Sequence, residues 1–176
     1  MHRHRGVLRR AAILMCTSTA AALWIAPKLR AQATPDTTKA KPFTMVLIPP
    51  PDENPSSNIL NVLKAEVPKA KELGQRPFAY FYADWCAPCK ALRKSLDDGD
   101  PLMMDAFRGT YIIQLNADTW SKKLAGTQFT VKAIPVLFEL DQNGRPTGRK
   151  IDGGAWGEDI PRNMAPPLRE FLQPSP

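Results

Sequence analysis

Phe78-Ala79-Tyr80-Phe81-Tyr82-Ala83-Asp84-Trp85-Cys86-Ala87-Pro88-Cys89-Lys90 is the stretch on which the fold turns. Phe78 to Tyr82 is short, aromatic and almost unbroken in its hydrophobicity, the pattern of a strand buried on both faces of a parallel sheet. From Cys86 to Leu96 good helix formers follow, with basic residues at Lys90, Arg93 and Lys94, so the segment reads strand, tight turn, helix. A cysteine at the first turn of that helix, as Cys86 is, meets unpaired backbone N–H groups and the positive end of the helix dipole. Both stabilise a thiolate. Cys86 is therefore read as the nucleophile. Cys89, one turn further in and expected to be more buried, is read as the residue that resolves a mixed disulfide. Two plainer readings compete. A purely structural disulfide closing so short a loop would constrain the unfolded chain little. Half a zinc site would need two further ligands.

Outward from the motif, strand and helix patterns alternate, which argues for an α/β sandwich. Ile59, Leu60, Leu63 and Val67 have helical spacing, with Pro68 expected to kink or restart the helix and Gly74 to end it. Pro101 to Phe107 reads as a short helix, Tyr111 to Leu115 as a strand, and Trp120 to Ala125 as a helix closed by Gly126. Asp97, Asp98 and Asp100 read as a solvated helix end, too irregular for a calcium loop. Val136 to Leu140 and Arg149 to Asp152 flank Asp141-Gln142-Asn143-Gly144, a hairpin signal that makes the second half of the sheet antiparallel. Leu168 to Leu172 closes the chain as a helix started or kinked by Pro166-Pro167. There is no internal repeat.

The N-terminus reads differently. Met1 to Arg10 is basic without acids, Ala11 to Ala26 is apolar, and Ala31-Gln32-Ala33 has the form of a cleavage site, so residues 1–33 are expected to be a signal peptide. An uncleaved membrane anchor is the alternative, although the apolar run is shorter than the roughly 20 residues of a spanning helix. Either way the protein is expected to be exported, to the periplasm or an equivalent compartment. Residues 34–57 read as a flexible, proline-rich segment carrying one edge strand at Phe43 to Ile48, and residues 58–176 as the domain. Of the 176 residues, the leader carries six basic ones and no acid, so the formal charge of +7 falls to about +1 without it. No nucleic-acid partner is expected. His2, His4 and Cys16 leave with the leader, so histidine chemistry is excluded from the mature chain, no metal site or cofactor is expected, and all redox chemistry must lie at Cys86 and Cys89.

The segment Tyr82 to Lys90 resembles the active site of thioredoxins and of periplasmic thioredoxin-like thiol–disulfide oxidoreductases. The resemblance extends through Phe129-Thr130-Val131-Lys132-Ala133-Ile134-Pro135 to Gly144 and Gly153. It implies a thioredoxin fold, a central mixed sheet flanked by helices. It also implies that Pro135 is cis and stands beside Cys86, with the Ile134 backbone available to an extended substrate segment. Trp85, Ala87, Pro88, Ile134 and Pro135 would then form the substrate surface, Trp85 as a flat contact.

Two positions depart from the family pattern. Tyr80 occupies the place of a buried aspartate and Gln114 that of a facing lysine, so Cys89 would lose its proton to water, to Tyr80 or to no protein base. Tyr80, Asp84 and Glu139, an acid inside an apolar run, are the candidate tuning residues; Glu139 is placed at a solvated strand end or near the thiols. An Ala-Pro insert offers no extra donor to the thiolate, which favours a reductant. Exported, such a reductant would need a membrane electron donor and disulfide-bearing envelope proteins as substrates, and would act as a monomer. A disulfide oxidase, or a Cu(I)-handling module using Met103-Met104 with the two thiolates, are the competing readings.

Overall fold

The computed structural model describes residues 42–51 and 58–173. The expected leader, Cys16 and most of the proline-rich segment lie outside them. Within them, β1 (Thr44–Leu47), β3 (Thr110–Asn116), β2 (Arg76–Tyr82), β4 (Val136–Leu140) and β5 (Pro146–Asp152) form one sheet in that spatial order. β1, β3 and β2 run parallel, and β4 and β5 continue antiparallel. This is the mixed sheet the sequence implied, with β1 as the edge strand.

Alternation along the inner strands sends side chains to two cores. Phe78, Tyr80, Ile112 and Leu137 face α2 (Ala87–Asp97), α3 (Pro101–Phe107) and α5 (Pro161–Leu172). Ala79, Phe81, Ile113, Leu115 and Phe138 face the other way, onto α1 (Ile59–Glu72) and Trp120 of α4 (Ala117–Trp120). The β4–β5 turn forms as read: Asp141 Oδ1 accepts from the Asn143 and Arg145 N–H groups, and Gly144 N–H donates to the Asp141 carbonyl at 3.0 Å.

Three helices depart from expectation. Pro68 sits inside one continuous α1 rather than restarting it. A missing N–H costs one helical bond, while Ile59, Leu63, Val67 and Ala70 keep a single apolar face buried across it. The helix expected at Trp120 begins at Ala117, because Asn116 caps it by accepting from Asp118 N–H at 2.9 Å; it passes into a 3₁₀ turn at Ser121–Lys123. The last helix begins at Pro161, seven residues before Leu168. Pro161 occupies a first-turn position where no N–H is needed, and the buried stripe Met164, Ala165, Leu168, Phe171 and Leu172 holds it through Pro166 and Pro167. Asp100, expected only to be solvated, caps α3 by accepting from the Leu102 and Met103 N–H groups.

Candidate active site

β2 ends at Tyr82, the chain turns through Ala83, Asp84 and Trp85, and α2 starts at Ala87. Cys86 is the N-cap residue: its backbone is extended (φ −73°, ψ 109°) and its Sγ accepts from Cys89 N–H at 3.2 Å. A sulfur thus fills the place usually taken by a capping oxygen, facing the positive end of the helix. Pro88, in the first turn, has no N–H to leave unsatisfied. Cys86 and Cys89 are joined as a disulfide, their Cα atoms 5.3 Å apart.

The expected difference in burial between the two cysteines is absent: each is 3 % exposed. Cys86 is covered because Ile134 reaches over it from the loop before β4, with the Ile134 carbonyl oxygen 3.7 Å from Cys86 Sγ. What separates the cysteines is the cap position, which only Cys86 holds. The Ile134–Pro135 peptide is cis. The Pro135 carbonyl accepts from Gly153 N–H at 3.0 Å, tying this loop to the end of β5. Ala87 is exposed, Pro88 and Ile134 half-buried and Pro135 buried, so the segment beside the disulfide presents Ala87, Pro88 and Ile134 outward.

Trp85 is 67 % exposed, yet its indole Nε1–H donates to Asp118 Oδ2 at 3.0 Å. Asp118 was not anticipated. It lies 33 residues downstream and becomes a neighbour only because β2 and β3 pair with Tyr82 opposite Asn116, which brings the turns that follow them side by side. No local pattern carries that information.

Behind Cys89 a pocket of about 290 Å³ opens, lined by Tyr80, Tyr82, Asp84, Lys90 and Arg93 as well as Cys89 itself. Arg93, also missed, donates to Gln114 Oε1 and lies over the Tyr82 ring, 5.7 Å from its centroid. Gln114 is directly opposite Tyr80 in the β2–β3 ladder, so the two departures from the family pattern are neighbours. Burial pushes the Tyr80 phenol well above its ordinary pKa, against the opposing pull of Arg93. Held protonated in this way, the phenol is suited to donate a hydrogen bond rather than to take up a proton. The Tyr82 phenol is raised too, by burial and then by Asp84.

Glu139 lies at the strand end rather than near the thiols. It pairs with Phe78, at the far end of β2 from Cys86, and its carboxylate accepts from Arg149 Nη1 and Thr147 Oγ1, each at 3.0 Å. Met103 is fully buried in the core under α3, whereas Met104 is exposed, so the methionine pair does not act as one unit toward the cysteines.

The family model described as Thioredoxin matches residues 65–165 of this chain. Among curated proteins, the chain is 34 % identical over 79 residues to Protein disulfide isomerase-like 5-3 of Oryza sativa subsp. japonica, an alignment covering 43 % of this chain and 18 % of that protein. It is 35 % identical over 69 residues to Protein disulfide-isomerase 5-2 of Arabidopsis thaliana, covering 39 % and 15 %. The matched region is thus under a fifth of either relative's length. Among solved structures, a disulphide isomerase from Xylella fastidiosa Temecula1 is 17 % identical, with 69 % of this chain and 93 % of that chain covered and a TM-score of 0.44. A Fasciola hepatica thioredoxin is 15 % identical, with 62 % and 90 % covered and a TM-score of 0.42.

Proposed function

This chain belongs to the thioredoxin family of thiol–disulfide oxidoreductases, and on that premise we propose that it is an exported reductant of disulfides in envelope proteins. The observation that carries the direction of exchange is how few hydrogen-bond donors reach Cys86 Sγ. Among the described residues the hydrogen-bond donor to it is the Cys89 N–H, and the Ala87-Pro88 insert adds no side-chain donor. A thiolate stabilised by the end of α2 and that one N–H, with no side-chain donor added, leaves the reduced form ready to give up its electrons. The basic, then apolar, N-terminal sequence with its cleavage-like Ala31-Gln32-Ala33 supports export. Outside the cytoplasm the protein draws its electrons from a membrane donor and works as a monomer, needing no cofactor beyond its own dithiol.

Substrate docks on the surface formed by Trp85, Ala87, Pro88 and Ile134, its extended backbone running beside Ile134 and Pro135. The Trp85–Asp118 hydrogen bond holds the indole as a fixed platform. Asp118→Ala is expected to raise KM for protein disulfides about twofold to tenfold, a fraction of the worth of a hydrogen bond to a charged group because this one is exposed to solvent, and to leave reduction of a small aromatic disulfide unchanged.

Direction is tested by the equilibrium reduction potential of the purified protein against a glutathione series, read by tryptophan fluorescence with Cys86→Ser as control. A value near or below about −230 mV supports the reductant; one above about −150 mV makes the protein a disulfide oxidase instead. Tight, stoichiometric Cu(I) binding without turnover would favour a metal-handling role, which the burial of Met103 argues against.

A further inference from the structure

The Tyr80 hydroxyl is buried, and among the described residues it has no hydrogen-bond partner. An orphaned buried hydroxyl costs stability, and the ring would pack as well without it. Tyr80 and Cys89 line the same pocket. The charged and titratable groups facing Cys89 there are Tyr80 and Tyr82 from β2, Asp84 from the turn, and Lys90 and Arg93 from α2. Two cations, Lys90 and Arg93, outnumber one carboxylate, Asp84, and all three are exposed. Asp84 is the one carboxylate in the group, and the two cations favour a negative charge on the sulfur.

We propose that Tyr80 is a positioning residue for the resolving step, its hydroxyl donating toward Cys89 Sγ once that sulfur carries the thiolate charge, with Lys90 and Arg93 favouring the same charge from the pocket rim. The inference rests on the oxidoreductase reading. In the step concerned, substrate is bound to Cys86 through a mixed disulfide. The Cys89 thiol releases its proton to solvent through the pocket, and its thiolate attacks Cys86 Sγ. The Cys86–substrate bond breaks, the intramolecular disulfide forms, and the substrate leaves as a thiolate that takes up a proton. The protein loses two electrons and the substrate disulfide gains them. Because burial holds the Tyr80 phenol protonated, it remains a donor throughout. The hydroxyl stays unpartnered in the disulfide form, where neither sulfur is charged, and finds its acceptor only in the reduced and mixed-disulfide states.

The test is a rapid-quench reaction of the reduced full-length protein with a peptide disulfide, following the covalent complex by mass across pH. Tyr80→Phe is expected to lengthen the life of that complex about tenfold to a hundredfold, the loss of one hydrogen bond to a charged group, and to move the pH midpoint of resolution upward. Its melting temperature should be equal to or above that of the parent. Arg93→Gln, at an exposed position, should move the midpoint the same way by a smaller amount that salt abolishes. Unchanged lifetime and midpoint in Tyr80→Phe would overturn the role of Tyr80 alone. The accompanying Cys89→Ser reaction separates the two levels of inference: if neither it nor the parent forms a covalent complex, the oxidoreductase reading falls, and this one with it.

Discussion

Replacing Cys86 by serine is expected to lower the rate of disulfide exchange roughly a thousandfold or more, as removal of an enzyme's nucleophile does. The same change at Cys89 should instead stop the reaction halfway. Only Cys86 caps α2, and there the Cys89 N–H and the end of the helix act on its sulfur. Its thiolate attacks one sulfur of the substrate disulfide and displaces the other, which departs as a thiol. With Cys89 present, the second attack completes a two-electron transfer. With serine there, the protein remains joined to its substrate by one disulfide, gaining the substrate's mass. Reduction of insulin with dithiothreitol as donor reads the first effect, and intact-mass analysis reads the second. Since both cysteines are equally buried, accessibility does not assign these roles. A persistent adduct in Cys86→Ser, carried on Cys89, would reverse the assignment and show that the cap position does not govern reactivity here.

The parts of this fold that could be read from sequence are those whose determinants are local. β2 is an apolar run buried on both faces, β4 matches its expected bounds, and the Asp141 turn closes through its own side chain and glycine. The cysteine motif is legible for the same reason, since strand, turn and cap lie within a dozen residues. The starts of α4 and α5 were misjudged because a weak cap signal at Asn116 and a proline at Pro161 outweighed the more conspicuous Trp120 and Pro166-Pro167. The site's outer members were illegible on other grounds. Asp118 meets Trp85 only through the parallel register of β2 and β3, and Arg93 meets Gln114 only because α2 packs on that face of the sheet, neither of which a pattern along one strand encodes. Glu139 was ambiguous because its partner Arg149 comes from the neighbouring strand. That Tyr80 replaces an expected acid was plain from the sequence; that its hydroxyl is orphaned beside Cys89 was not.

Gly144→Ala is expected to destabilise the fold by about 3 kcal/mol, near the top of what a single methyl group can do. Two costs add. The residue has φ +73°, a left-handed conformation that costs an L side chain about 1–2 kcal/mol. The added Cβ would also lie 2.5 Å from the Lys64 backbone nitrogen and 2.8 Å from the Leu63 carbonyl carbon, so the turn after β4 and the middle of α1 would have to part. Neither is a flexible side-chain end, and forced backbone shifts of this kind cost about 1–3 kcal/mol. Gly99→Ala separates the two contributions. Its φ of +69° is nearly the same, but its Cβ would meet nothing within 4 Å, so it should cost only the conformational part. Thermal unfolding should place Gly144→Ala about 10 °C below the parent and Gly99→Ala about 4 °C below. Equal shifts would mean that α1 yields to the turn freely. A larger shift at Gly144 would establish that contact as part of what holds α1 against the β4–β5 hairpin.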